Sequence, residues 1–279
     1  MGGSEILTLI RRHPVITFFV ASCAVSWTFW APLIVFPEWT GAEENIASIL
    51  GGFGPLIAAL LVTAAVEGRT GVHDLVRRIV AWRQKPIGYL LALFLPIVAY
   101  LLAVALYWAF NERPGLVQEA PPFAAYPLVL LFAAVLGGGL EEPGWRGFAL
   151  PRLQERHSPL VSSLVIGMVW GMWHIPLSFA DSTVQGVVAP GWYLLNALAL
   201  SVIFTWLFNR TGGSVFLAIL LHASVNAPSA WMPQVMVESF GYVTAGTWVV
   251  AIVVVSATGL REFVARPRGS SLVGRRSIH

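Results

Sequence analysis

Residues 15–36 read VITFFVASCAVSWTFWAPLIVF, a stretch without a single charged side chain. As a helix it is long enough to cross the hydrocarbon core of a bilayer, which takes roughly 17 to 25 apolar residues. It is too long for the core of a signal peptide and has no small-x-small cleavage pattern, so we interpret it as a retained first transmembrane helix. This stretch therefore indicates a membrane protein.

Seven further apolar windows of similar character follow along the chain. They lie at 46–66, 87–110, 128–141, 160–179, 191–208, 214–230 and 243–260. The composition agrees, because 57% of the 279 residues are hydrophobic and only 11% are charged, against roughly 25% charged in a soluble domain. The sequence thus predicts an all-α polytopic membrane protein of about eight transmembrane helices, forming a single membrane domain over 1–260.

The basic residues predict the orientation of this bundle. With a cytoplasmic N-terminus, every Lys and Arg except Arg113 falls on the cytoplasmic side, as the positive-inside rule requires. Both termini are therefore expected in the cytoplasm, and the strong preference for Arg over Lys suggests a bacterial plasma membrane. Segment 67–86 is expected to form an amphipathic interfacial helix, and the basic tail 261–279 is expected to be disordered.

Two adjacent carboxylates lie at the end of the fourth window, in GGGLEEPGWR (137–146). On a helix, Glu142 precedes Arg146 by four residues, the favourable order for an ion pair. Glu141 points about 100° away and is left without that partner. Pro143 removes a backbone donor, which outside water is tolerated only beside a cavity or another polar group. The alternative is that these carboxylates simply mark the cytoplasmic end of the span.

The fifth window carries a histidine on a face of small residues. Four positions at helical spacing share this face: Ser163, Gly167, Gly171 and His174. Because small residues allow close helix approach, His174 is expected to face the bundle interior, where Trp170 can pack on its imidazole. A buried histidine satisfied by a neighbouring carbonyl would show the same pattern.

The seventh window places His222 and Asn226 one helical turn apart on one stripe. Two such groups can act as donors to a developing oxyanion. They can equally serve as interhelical hydrogen bonds that hold the bundle together. Three separate helices thus bring uncommon polar groups to the interior, which favours a functional site, since ionisable residues in membrane helices usually serve a function.

These stretches, Glu141-Glu142-x-x-x-Arg146, Trp170-x-x-x-His174 and His222-x-x-x-Asn226, resemble the three motifs of the CPBP intramembrane proteases. This family is also known as the CAAX-protease and bacteriocin-processing, or Abi, family. The surrounding EEPGWRGFALPRLQ and WGMWHIPLSF are similar to it as well, and the resemblance covers about residues 128–230. One departure is Trp170, where Phe is more usual.

The resemblance implies an intramembrane endopeptidase that hydrolyses a peptide bond of a membrane-associated protein or peptide. By matched position, Glu141 and His174 would activate a water, and His222 and Asn226 would stabilise the oxyanion. The supporting residues would be Glu142, Arg146 and Trp170, with Glu142 paired to Arg146 to hold Glu141 in place.

Several alternatives stay open at this point. Members of the family are commonly labelled metalloproteases, so a Zn ion held by Glu141, His174 and His222 is one possibility, although no H-E-x-x-H motif occurs. A non-proteolytic membrane scaffold or bacteriocin-immunity factor of the same fold is the rival function. A proton-coupled transporter would also need buried carboxylates, but no paired broken helices in two halves support it. The expected partners are membrane lipid and a membrane-associated substrate, with no nucleic acid.

Overall fold

The computed structural model describes residues 3–36, 38–39, 41–111, 121–180, 183–231, 237, 239–259 and 263–265. Within these ranges the chain is helical and contains no β-strand. The α-helices are α1 (Gly3–Arg12), α2 (Pro14–Val35), α3 (Ala42–Gly52), α4 (Gly54–Ile79), α5 (Pro86–Phe110), α6 (Tyr126–Val135), α7 (Leu150–Gln154), α8 (Pro159–Trp173), α9 (Val184–Val187), α10 (Pro190–Arg210), α11 (Val215–Asn226) and α12 (Phe240–Thr258). Short 3-10 helices cover Phe123–Ala125, Gly139–Glu141, Ile175–Phe179 and Ala227–Trp231, and a π-helix covers Pro143–Ala149.

Seven helical segments in the described ranges are long and apolar enough to cross a bilayer. They are Pro14–Val35, Ala42–Ile79, Pro86–Phe110, Phe123–Glu141, Pro159–Phe179, Pro190–Arg210 and Phe240–Thr258. The seventh predicted window, 214–230, corresponds to a shorter apolar segment, Val215–Trp231. The prediction of a polytopic all-α fold is therefore confirmed, and the chain is an integral membrane protein.

The helices pack around α10, which contacts both α8 and α12. Gly167 of α8 lies so close to α10 that an added Cβ would be 3.0 Å from the Cα of Leu198. The small face predicted for this helix is thus its packing face, as expected where backbones approach closely in a bilayer. Helix α2 packs against α3 and α4, and α4 contacts the π-helix.

The predicted interfacial segment is the second half of α4 and not a separate helix. The kink lies at Gly68, whose φ of 68° is in the left-handed region that glycine adopts without steric cost. Beyond it the helix ends at Ile79, short of the predicted residue 86, and Pro86 then begins α5. Val76 is exposed on this half, whereas Leu75 is buried.

Helix α1 precedes the first span and was not predicted. It is short and amphipathic, and its exposed apolar side chains include Ile6 and Leu9. The guanidinium of Arg11 donates from Nε to the carbonyl oxygen of Ala65, at 3.2 Å, and so joins α1 to α4. The interpretation of the tail 261–279 and the position of Arg113 fall outside the described residues, apart from 263–265.

Candidate active site

The fourth span changes its backbone geometry before it reaches the two carboxylates. Helix α6 ends at Val135, and Gly138 adopts a φ of 102° before the 3-10 turn Gly139–Glu141 begins. The π-helix Pro143–Ala149 follows, so that the amide of Leu150 bonds the carbonyl oxygen of Trp145, five residues back. A continuous α-helix through 128–141 is therefore wrong, whereas the expected local opening around Pro143 is present.

Glu142 and Arg146 form the predicted ion pair, and both side chains are fully buried. Nη1 of Arg146 lies 3.0 Å from Oε1 of Glu142, and Nη2 donates to the hydroxyl of Ser201 at 3.3 Å. The guanidinium also lies over the rings of Phe204, at 4.1 Å, and Trp170, at 5.1 Å. Such contacts with aromatic faces add to the attraction from the carboxylate.

Glu142 has a second partner that the sequence did not reveal. Nδ1 of His222, on α11, lies 2.7 Å from the same Oε1. Because an ionised carboxylate can only accept hydrogen bonds, Nδ1 carries the proton and donates it to Glu142. The other ring nitrogen, Nε2, is then the acceptor in the neutral imidazole, and the carboxylate fixes this tautomer.

Glu141 is buried, with 4% of its surface exposed, and it accepts hydrogen bonds from two indoles. Nε1 of Trp170 donates to Oε2 at 2.7 Å, and Nε1 of Trp145 donates to the same atom at 3.2 Å. No cation pairs with Glu141 in the described part of the chain. The prediction that Glu142 is ion-paired and Glu141 is not is thus confirmed.

His174 lies at the C-terminal end of α8, buried among aromatic rings. Its Nδ1 is 2.8 Å from the carbonyl oxygen of Trp170, and since a carbonyl can only accept, Nδ1 is the donor. The imidazole packs edge-to-face on Trp170 as predicted, with ring centroids 5.9 Å apart, and on Tyr193 at 5.3 Å. The carbonyl contact is the one expected of a structurally satisfied histidine, and in the neutral imidazole it leaves Nε2 as the hydrogen-bond acceptor.

Three polar atoms from two elements converge on Gly138. A Cβ added to this glycine would lie 2.7 Å from Nε2 of His222, 3.1 Å from Oε1 of Glu141 and 3.2 Å from Nδ2 of Asn226. We call this set of three atoms the polar centre. It combines a carboxylate oxygen, an imidazole nitrogen and an amide donor around one small space.

Asn226 also holds the backbone beside this centre. Its Nδ2 donates to the carbonyl oxygen of Gly137 at 2.7 Å, which fixes the orientation of the carboxamide. A primary amide nitrogen has two hydrogens, so one of them is engaged by Gly137 and the second is left for another acceptor. Asn226 therefore joins α11 to the segment that carries Glu141.

Comparisons with known proteins point to the same region. Residues 123–228 match the model of the Rce1-like family, described as type II CAAX prenyl endopeptidase Rce1-like. A protein of Methanococcus maripaludis named CAAX prenyl protease 2 is 26% identical over 232 residues, which is 75% of this chain and 81% of that protein. Residues 123–228, the Rce1-like region, are thus similar to CAAX prenyl endopeptidases. The resemblance found in the three motifs is thus confirmed.

The Rce1-like region does not offer an evident metal centre. Within the described ranges, no three His, Cys, Asp or Glu side chains are grouped so that they could hold a metal ion. The Nδ1 atoms of His174 and His222 are engaged by oxygen acceptors and Oε2 of Glu141 by two indoles, which leaves the two Nε2 atoms and Oε1 without these partners. Glu141, His174 and His222, the ligands considered from the sequence, are not grouped to hold an ion in this arrangement.

Two residues of the Rce1-like site escaped the sequence analysis. Gly138 was seen only as part of a glycine run, although its positive φ and missing side chain create the space of the polar centre. Ser201 of α10 is a buried partner of Arg146. A signal for Gly138 existed, because three glycines precede Leu140 and the two carboxylates, and glycine is the usual residue where the backbone is left-handed or closely approached.

Proposed function

We propose that this protein is an intramembrane endopeptidase, which hydrolyses a peptide bond in a membrane-associated protein or peptide. The observation that carries the proposal is the convergence of Glu141, His222 and Asn226 on Gly138. A catalytic carboxylate, an imidazole and a fixed donor around one space are the groups that peptide hydrolysis needs. The match of this region to an endopeptidase family supports the same conclusion.

In the proposed mechanism, Glu141 acts as the general base through Oε1, because Oε2 is engaged by the two indoles. A water gives its proton to Glu141 and its oxygen bonds to the peptide carbonyl carbon. The carbonyl π electrons move to the oxygen, which forms the tetrahedral oxyanion. Collapse then breaks the C–N bond, and Glu141 returns the proton to the leaving amine. His174, with Nε2 unprotonated, shares the activation of water.

Asn226 and His222 are the proposed oxyanion donors. Asn226 donates through the Nδ2 hydrogen that Gly137 does not use. His222 donates through Nε2 only when the imidazole carries a second proton, because its Nδ1 proton is committed to Glu142. Glu142, itself held by Arg146, accepts from Nδ1 and so fixes the orientation of His222.

The decisive experiment compares cells and liposomes that contain wild type or Glu141→Gln. The amide keeps the shape of the side chain and removes the proton acceptor, so it should abolish turnover. Glu155→Gln makes the same chemical change at an exposed position and should behave as wild type. A membrane protein or secreted peptide that is cut only with wild type and Glu155→Gln would identify the substrate.

The rival functions and the metal question are decided on the same samples. Retained cleavage in Glu141→Gln would refute the mechanism. If wild type and the variants give the same set of peptides, while immunity or complex formation persists, the protein is a non-proteolytic scaffold or immunity factor. Metal content is measured on each purified variant, and activity lost to a chelator and regained with zinc would require a metal in the site.

A further inference from the structure

The π-helix Pro143–Ala149 is held from outside by two arginine side chains. Nη2 of Arg78 donates to the carbonyl oxygen of Gly147 at 3.0 Å. Nη1 of Arg152 donates to the carbonyl oxygen of Phe148 at 2.8 Å. Two consecutive carbonyls in the last turn of the π-helix thus have a guanidinium partner. Neither arginine belongs to the polar centre.

Helix α4 lies close to the π-helix at two positions, near the beginning of the π-helix and near its end. A Cβ added to Gly144 would lie 2.6 Å from the carbonyl oxygen of Pro55, at the start of α4. A Cβ added to Gly147 would lie 2.9 Å from Cδ1 of Leu75, in the amphipathic half of α4. The backbone therefore approaches α4 where the π-helix begins and where Arg78 reaches it.

Arg152 connects the same two elements by a second route. Its guanidinium forms an ion pair with Glu67, the residue before the kink of α4. It also lies over the ring of Phe148, at 3.8 Å from the ring centroid. Helix α4 is therefore joined to the π-helix region by Arg78, beyond the kink, and by the Glu67–Arg152 pair, immediately before it.

The geometry of the π-helix decides where the two carboxylates point. A π-helix is rare and is an α-helix with an additional residue in its turn. Its conversion to α-helix would remove that residue from the turn and rotate Glu141 and Glu142 relative to α7 by about 100°. The carboxylates would then leave the positions from which Glu141 faces Gly138 and Glu142 holds His222.

We infer that Arg78 and Arg152 are positioning residues that keep this segment in its π-helical form and so orient Glu141 and Glu142. Through them helix α4 is coupled to the polar centre. The catalytic part of this inference rests on the proposed function. The conformational part does not, and it can be measured on the folded protein without any substrate.

The test uses Arg78→Met and Arg152→Met, which keep an apolar stem and remove the donors. Arg77→Met is the matched control, because Arg77 is 73% exposed and its ion-pair contact with Asp74 is 3.8 Å long. Amide hydrogen exchange of segment 143–150 is measured in detergent or liposomes, together with the thermal midpoint. Single-turnover cleavage of a substrate found by the Glu141→Gln comparison gives kcat and KM.

Both arginine variants should exchange faster over 143–150, and Arg77→Met should match wild type. In cleavage they should lose about 10- to 100-fold in kcat with little change in KM, the range expected for lost charge-assisted hydrogen bonds. Arg78→Lys, which retains one donor and the charge, should recover part of both losses. If a Met variant does not fold, Glu67→Gln is used instead, because it removes only the ion pair with Arg152. It should give a smaller increase in exchange over 143–150 and a smaller decrease in kcat.

Unchanged exchange over 143–150 in both Met variants would overturn the inference, whatever the activity. An activity loss that merely follows the loss of folded protein, with a normal rate per folded molecule, would also overturn it, because it would make the arginines structural only. Failure of the wild type to cleave any peptide would refute the proposed function and leave hydrogen exchange as the deciding measurement.

Discussion

Gly138 and His222 leave no room for a side chain between them, because a Cβ on Gly138 would lie 2.7 Å from Nε2 of His222. Real Cβ atoms do not come so close to another heavy atom. Oε1 of Glu141 and Nδ2 of Asn226 border the same space. The polar centre therefore exists because residue 138 is a glycine.

Gly138→Ala should consequently fill the polar centre with a methyl group. We expect kcat/KM to fall by at least about 100-fold, since misplacement of about 1 Å can cost that much. An alanine at positive φ also costs roughly 1–2 kcal/mol of stability. Gly212→Ala is the control, because Gly212 has a φ of 69° with nothing within 4 Å of its Cβ position. Equal activity of the two variants would show that the space at Gly138 is not used.

Charge-reversal variants of Glu142 and Arg146 distinguish the contribution of this ion pair to stability from its contribution to catalysis. Each single reversal leaves two like charges buried together, which should cost several kcal/mol of stability. The double variant Glu142→Arg with Arg146→Glu restores an ion pair, so the thermal midpoint should largely recover. It does not restore the acceptor of His222, so cleavage should stay low. Recovery of both stability and cleavage would contradict the role of Glu142 in orienting His222.

Asn226→Ala tests the proposed oxyanion donor. The turnover number should fall by about 10² to 10³, as for other oxyanion donors, with substrate binding little changed. The loss of the hydrogen bond to Gly137 should lower the unfolding free energy by about 1 kcal/mol. Asn196→Ala is a suitable comparison, because Asn196 is a buried asparagine outside the polar centre and its Oδ1 has no hydrogen-bond partner. Full activity of Asn226→Ala would exclude it from catalysis.

The orientation of the chain stays a prediction and can be tested with topology reporters. Fusions after Arg83 and after Glu119 should report opposite compartments, with Arg83 in the cytoplasm, because nearly all basic residues then lie on the cytoplasmic side. The same compartment for both fusions would show that the number of spans between them is wrong.

Local spacing was sufficient to predict part of the site. The Glu142–Arg146 pair is formed within one turn, so its geometry depends little on the rest of the fold. The packing of Trp170 on His174 is predictable for the same reason. The windows of apolar residues likewise located the spans, because length and hydropathy alone decide whether a segment can cross a bilayer.

Contacts between distant segments were not predictable. His222 meets Glu142 across 80 residues of sequence, and no periodicity within α11 identifies that partner. Helical spacing continued through Pro143 predicts an α-helix, whereas the backbone from Pro143 to Ala149 is a π-helix. The predicted interfacial helix is continuous with the second span, because the chain only kinks at Gly68 and does not end there. Whether a helix kinks or ends at a glycine depends on the backbone angles of that residue.

The length of helix α6 leads to an expectation about which substrates the proposed peptidase could cut. Its ten residues measure about 15 Å, half of a hydrocarbon core of about 30 Å, so if α6 begins at a membrane surface, the chain turns into the site near mid-depth. An extended chain advances about 3.3 Å per residue, and about five residues are therefore needed to reach the site from the aqueous boundary. A substrate that is folded up to its membrane boundary would therefore stay uncut until about five residues next to that boundary unfold.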